Sequence, residues 1–181
     1  RLVDWKDEGA MVQSPAVAIL IQHPTLGNIL YDTGKCEDFS AVYTEEMLHD
    51  YPITEMISIQ EALAQKGLTP DDIDLIILSH LHFDHAGGLK HFVGTKAIRR
   101  VLVSEADLKN AYWSVMTGNG GAYIRSLFDV EGIQFQTIRE TTKLAEDLEL
   151  FIQASHTPGV IGMVLKTDHH GTILTTSDTI Y

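Results

Sequence analysis

An α/β (α+β) fold is what this sequence predicts, and three observations predict it. Asp74-Leu75-Ile76-Ile77-Leu78 is a short, apolar, β-branched run between turn signals at Thr69-Pro70-Asp71-Asp72 and Gly87-Gly88, the pattern of a strand buried on both faces. Stretches of helical character, residues 58–66 and 104–113, stand between this run and other strand-like runs. Directly after the buried run comes Ser79-His80-Leu81-His82-Phe83-Asp84-His85-Ala86-Gly87-Gly88, so a polar cluster leaves the carboxyl end of an interior strand, where open α/β sheets put their sites.

The elements follow in order. Residues 17–21 and 28–31 flank the turn signal Thr25-Leu26-Gly27 and predict a β-hairpin. Asp32-Thr33-Gly34 ends the second strand, and Asp32 reads as a turn-former, since Asp bonds its own backbone readily in turns. Residues 37–52 lack a firm period and read as a long loop with one helical turn, a length that often signals function. Ser58 with Glu61 resembles a capping box, Ile59, Ala62 and Leu63 supply the helical stripe, and Gly67 supplies the stop. Residues 88–92 start a short helix and 98–103 form a strand. Ser104 then caps a helix through about Trp113, with Glu105 and Asp107 in its acidic first turn. Tyr112, Trp113, Met116, Tyr123 and Phe128 surround the break Thr117-Gly118-Asn119-Gly120-Gly121, a composition suited to a flexible apolar lid. Residues 133–138, 148–154, 162–167 and 172–176 read as strands, with His169-His170-Gly171 as an outward-pointing turn.

At 181 residues and 44% hydrophobic content, the chain can bury its core as one domain, 1–181. No apolar run approaches the roughly 20 residues of a membrane span, and no signal peptide opens the chain, so no membrane association is expected. The chain opens on Arg1 and closes on Tyr181 just after a strand-like run, which suggests a fragment. Thirteen basic against 25 acidic residues give a net charge of −12, which argues against a nucleic-acid surface. A lone Cys36 excludes an internal disulfide and a multi-cysteine zinc site, and it fits a reducing compartment, the cytoplasm.

The cluster carries the chemistry. His80, His82, Asp84 and His85 place four metal-binding side chains within six residues, and imidazole with carboxylate suits a divalent transition metal. A shuffled chain of this composition would hold such a run on the order of once in five hundred, which sets aside a solvated loop. Two more ligand types stand at strand ends. His156 follows residues 148–154, with Thr157-Pro158-Gly159 fixing a turn behind it, and Asp178 follows residues 172–176. His23, His49 and His91 are isolated and read as surface or core histidines.

The run His80-x-His82-x-Asp84-His85, then His156 before Thr-Pro-Gly, then Asp178, resembles the metallo-β-lactamase superfamily over nearly the whole chain. The resemblance implies a four-layer αββα sandwich, here lacking its C-terminal strand and helices. It implies two divalent metal ions, zinc foremost: His80, His82 and His156 on the first, Asp84 and His85 on the second, Asp178 bridging. In this family a further His beyond the bridging Asp completes the second site. Asp178 stands where the zinc β-lactamases of the commonest subclass have Cys. The run Ser79 to Gly88 is closely similar to that of the N-acyl homoserine lactone lactonases, the quorum-quenching branch, and Tyr181 matches the tyrosine that branch places beside the substrate carbonyl. Val160-Ile161-Gly162 departs from that pattern, replacing a second His-containing turn.

The implied reaction is hydrolysis of an acyl lactone, a small-molecule substrate. Two such ions would lower the pKa of a water held between them and so supply a bridging hydroxide to the carbonyl. Tyr181 would donate to the oxyanion, and Asp84 or Asp178 would protonate the leaving alkoxide. A thioesterase of the glyoxalase II type shares these ligands but calls for a glutathione-binding basic patch that this acidic chain does not show. A non-catalytic metal-binding or sensor module of the same fold is the alternative outside enzymology. The oligomeric state stays open, with a homodimer among the options.

Overall fold

A computed structural model describes residues 13–180, and in it two sheets face each other. The first holds β1 (Ile19–His23), β2 (Gly27–Tyr31), β3 (Leu75–Ile77), β4 (Val101–Ser104) and β5 (Phe135–Ile138) in that spatial order. β1 and β2 form an antiparallel hairpin, and β2 through β5 run parallel. The hairpin turn needs glycine: Gly27 has φ 80°, and a Cβ there would meet Asp74 Oδ2 at 2.1 Å. β3 is the central strand, and Ile76, Ile77 and Leu78 are each 0% exposed, as a strand buried on both faces demands.

The alternation of side chains along these strands builds two cores. Leu30, Ile76, Leu78, Val101 and Val103 point to one side, against helical residues Leu63, Ala111 and Phe128. Ile29, Tyr31, Leu75, Ile77 and Leu102 point to the other, against Leu148, Leu150, Ile161 and Met163 of the second sheet. That sheet is antiparallel throughout, in the order β6 (Thr142–Ala145), β7 (Leu148–Gln153), β8 (Val160–Thr167), β9 (Gly171–Thr175). The Tyr31 hydroxyl spans the sheets, donating to the Ile161 carbonyl at 2.5 Å.

Helices α1 (Phe39–Val42), α2 (Glu45–Asp50), α3 (Ile59–Ala64), α4 (Phe83–Ala86), α5 (Glu105–Met116) and α6 (Arg125–Phe128) complete the described chain. Layers run helix, sheet, sheet, three of the four layers of the expected αββα sandwich. The expected fourth layer is not among the described residues, and Leu174 on the second sheet is 61% exposed. No helix among them is long and apolar enough to cross a membrane.

Local signals set most of these elements. α3 starts with the full capping box, Ser58 accepting from the Glu61 amide and Glu61 from the Ser58 amide. α5 is capped by Ser104 and runs to Met116, past the expected end. The expected short helix after Gly88 is a 3₁₀ turn, Leu89–Phe92. Residues 37–52 are not a loop with one turn but hold two short helices, because Phe39, Val42, Tyr43 and Leu48 pack against Phe83 and Leu127. β6 is an additional strand, short and interrupted by a bulge between Lys143 and Ala145. The expected lid is largely packed: Tyr123 and Phe128 are core residues, and Tyr112 meets Phe128 edge to face at 5.3 Å. Trp113 and Met116 alone among those five are exposed, at 63% and 69%. His169 and His170 lie exposed in the turn between β8 and β9, as expected.

The loop after β3 is packed against backbone. A Cβ at Gly87 would meet the Cys36 amide nitrogen at 2.4 Å and the Phe83 carbonyl at 2.6 Å, neither able to swing away. Gly87→Ala is expected to destabilise by at least about 1–3 kcal/mol, the usual range for overpacking. The shift of the urea midpoint measures it, and a wild-type midpoint would show that the loop yields.

Candidate metal centre

The site lies at one edge of the sandwich, where β2 and β3 deliver loops from the first sheet and the β7–β8 connection and the 3₁₀ turn Ser177–Thr179 deliver two from the second. The chain after β3 extends through His82, which stands at the N-cap of α4, so Asp84 and His85 fall in the first turns of that helix. His156 precedes β8. The backbone amide of Ile161 donates to the Ser79 carbonyl at 2.8 Å and ties the start of β8 to the loop carrying His80.

Six residues singled out from the sequence converge here. His82 Nδ1 stands 3.1 Å from His80 Nε2 and 3.0 Å from His156 Nε2. Asp178 Oδ2 lies 3.4 Å from His85 Nε2, 3.6 Å from His156 Nε2 and 4.0 Å from His80 Nε2. Asp84 Oδ1 is 3.9 Å from His85 Nε2, at the margin of the group. Two triads have the spacing to hold a metal ion, His80 with His82 and His156, and His80 with His85 and Asp178, each with ligand atoms within 4.8 Å of one another. Tyr181 lies outside the described residues.

The donor set fits a zinc-sized cation. Tetrahedral zinc with bonds of about 2.0–2.1 Å spaces its ligands roughly 3.3 Å apart, close to the 3.1 Å and 3.0 Å that separate His82 Nδ1 from His80 Nε2 and His156 Nε2. Burial, reinforced by neighbouring imidazoles, pushes His80 well below the ordinary histidine range and His82 down to about 3, so both offer lone pairs at neutral pH. Burial also acts to lower His85, but Asp32, Asp178 and Asp84 outweigh it and hold His85 raised. The carboxylates that favour a proton on that ring favour a metal cation in the same place.

Behind the ligands sits Asp32. Its backbone is left-handed, φ 61°, as a turn-former's can be, but its carboxylate is buried and not spent on its own turn. Oδ1 accepts from the Ser79 amide at 2.7 Å, and Oδ2 accepts from the Ser79 hydroxyl at 2.8 Å and from His85 Nδ1 at 2.9 Å. With its proton given to Asp32, Ser79 Oγ accepts from His80 Nδ1 at 3.0 Å. Both assignments turn Nε2 of His80 and His85 to the centre, where that of His85 would exchange its proton for a metal, the arrangement that orients metal-binding histidines. Ser177, just before Asp178, also adopts a left-handed backbone, φ 48°. Such strain persists where surrounding structure over-determines it. Asp32, Asp107 and Tyr123, which supports the His82 ring edge-on at 4.5 Å, are site residues that the sequence did not reveal as such.

Comparison with known proteins agrees with this geometry. Residues 12–181 match the model of the metallo-beta-lactamase superfamily. An N-acyl homoserine lactonase of Bacillus sp. is 29% identical, the match covering 96% of this chain and 67% of the relative. One from Agrobacterium fabrum is 28% identical, covering 94% and 65%. Among solved structures, an N-acyl homoserine lactone hydrolase with the product N-hexanoyl-L-homoserine bound at its catalytic metal centre superposes with TM-score 0.68 at 27% identity, covering 87% of this chain and 60% of that one. A mutant Bacillus thuringiensis protein with N-decanoyl-L-homoserine at its active site gives 0.69 at the same identity and coverage. The chain thus spans 60% of the length of these solved structures.

The depressed His80 and His82 make acid unfavourable to the metal-free fold. Below pH 6.5 the unfolded chain binds protons that these rings refuse, so their contribution to stability, full above 6.5, is lost as pH falls towards about 3 for His82. His85 is raised by its carboxylate neighbours and works in the opposite sense, its contribution full below 6.5 and lost only as pH rises through its folded value. His82→Gln is therefore expected to flatten the fall of the melting temperature of the metal-free protein between pH 6.5 and 5. An unchanged slope would show that His82 is protonated in the fold.

Proposed function

The chain belongs to the metallo-beta-lactamase superfamily, and from that premise we propose that it is a dinuclear metal-dependent hydrolase opening the lactone ring of N-acyl homoserine lactones. The observation that carries the reading is the pair of triads sharing His80, with Asp178 Oδ2 lying between them. His80, His82 and His156 would hold the first ion, Asp84 and His85 the second, and Asp178 would bridge. Zinc is the ion that imidazole and carboxylate in this number suit. Bound there, the ions would supply Lewis acidity and lower the pKa of water from 15.7 towards 7.

The chain's own groups do the rest. Asp32 and Ser79 keep His85 and His80 turned inward. A water gives one proton to Asp84 or Asp178 as its oxygen bonds to the carbonyl carbon, the ring C–O bond breaks, and the departing alkoxide takes that proton back from the carboxyl, giving an N-acyl homoserine. Tyr181 is assigned as the hydroxyl donor to the carbonyl oxygen. The face beside Asp84 is aromatic: Tyr43 and Tyr51 stand 5.0 Å and 6.1 Å from the Phe83 ring, and Tyr51 is 59% exposed. Tyr43 and Phe83 are buried, so it is the exposed Tyr51 ring that would meet an acyl chain, since apolar surface leaving water favours binding. Support for a lactone over another ester comes from the relatives, which are named lactonases. Quorum quenching and a cytoplasmic location are part of the same proposal.

Metal analysis is expected to find about two equivalents per chain; one or none would end the dinuclear reading. Proton release with acyl homoserine lactones, compared with thioesters, then fixes the substrate class, and turnover of thioesters alone would transfer the protein to the thioesterases. His82→Ala is expected to lose more than about a hundred-fold in turnover together with metal, a larger effect than removing an outer-shell partner. Tyr181→Phe should slow turnover and keep the metal content; full activity would remove the tyrosine from the mechanism.

A further inference from the structure

Asp107 has no part in the proposed chemistry, yet it is the most deeply buried carboxylate among the described residues, at 0% exposure. An acidic residue in the first turn of a helix needs no burial to interact with the helix dipole. Here the side chain turns away from α5. Oδ2 accepts from the amide of Leu81, the residue between His80 and His82, at 2.8 Å. Oδ1 accepts from the Tyr123 hydroxyl at 2.6 Å, and the Tyr123 ring stands edge-on to the His82 ring.

The same turn of α5 grips the loop of the third histidine. Ser104, its N-cap, donates to the Gly159 carbonyl at 2.6 Å. That approach requires glycine, because a Cβ at position 159 would meet Ser104 Oγ at 2.2 Å. Thr157, next to His156 and buried, lies beside the Asp107 carboxylate. One helix N-terminus therefore joins the two loops, far apart in sequence, that present His82 and His156.

We infer that Asp107 is a positioning residue for the triad of His80, His82 and His156: its carboxylate sets the spacing of the two loops, with Tyr123 as a support for the His82 ring. The inference rests on the reading of that triad as a metal site. A strut that served the fold alone would change stability and leave the affinity of the folded protein for metal untouched.

Zinc affinity, measured by competition with a chromophoric chelator, and the visible spectrum of the cobalt(II) form read the difference. Asp107→Asn keeps the shape but aims an amide N–H at one of two donors, and is expected to weaken zinc about 10–100-fold, as loss of an outer-shell partner does, and to alter the cobalt spectrum. Tyr123→Phe, which removes one donor and keeps the ring, should weaken zinc less. Wild-type affinity in Asp107→Asn overturns the inference; should that variant not fold, wild-type affinity and spectrum in Tyr123→Phe overturn it. If the unmutated protein binds no zinc, the underlying reading of the triad falls and this inference with it. If the unmutated protein and the variants bind equally well, only this inference falls.

Discussion

The contact on which this structure most depends is the carboxylate of Asp32 against Ser79 and His85. It is made where β2 ends beside the end of β3, so its geometry follows from the parallel pairing of those two strands. A buried carboxylate is costly unless its oxygens are matched, and here three donors match them. Because those donors are the first residue of the ligand loop and one of its histidines, the same contact that satisfies the anion also sets the ligand rings. Thr33 extends the arrangement: its amide and hydroxyl both donate to the His85 carbonyl at 2.8 Å.

A second anchor of the same kind works from the opposite side. Asp107 in the first turn of α5 holds the amide between the first two histidines, and Ser104 at the end of β4 holds the carbonyl behind the third. The loops are thus gripped by buried acids, one at a strand end and one in the first turn of a helix, and the protein brings His82 Nδ1 within about 3 Å of both His80 Nε2 and His156 Nε2. Organisation of this kind places the cost of crowding four imidazoles on the fold, and left-handed backbones stand at Asp32 and at Ser177, next to Asp178.

What the sequence disclosed and what it hid divide along this line. The ligand run was legible because its members are adjacent, and His156 and Asp178 because each follows an apolar run that ends in a turn signal. Buried β3 was legible because a strand covered on both faces has no polar alternation to blur it. Asp32 was read as a turn residue, which its backbone is, but the partners of its carboxylate lie 47 and 53 positions along the chain, beyond any local pattern. Asp107 was hidden the same way, since a first-turn acid announces a helix and not a contact with Leu81. The short helices of residues 37–52 owe their form to packing on Phe83 and Leu127, and the aromatic residues around the glycine-rich break went mostly to the core. Spacing along the chain does not carry such contacts.

The topology of the two sheets has a consequence for how the chain reaches its native state. The second sheet is a run of consecutive hairpins, each closed by neighbours in sequence. In the first sheet, β2 must find β3 across residues 32–74, and β4 must find β5 across residues 105–134. Loop closure of that span costs entropy before any contact repays it, so high contact order slows this half relative to the other. His80, His82 and His85 belong to the slow half, and His156 and Asp178 to the quick one. The centre comes into being only when the halves dock, so metal uptake during refolding would time the last step of assembly rather than the first.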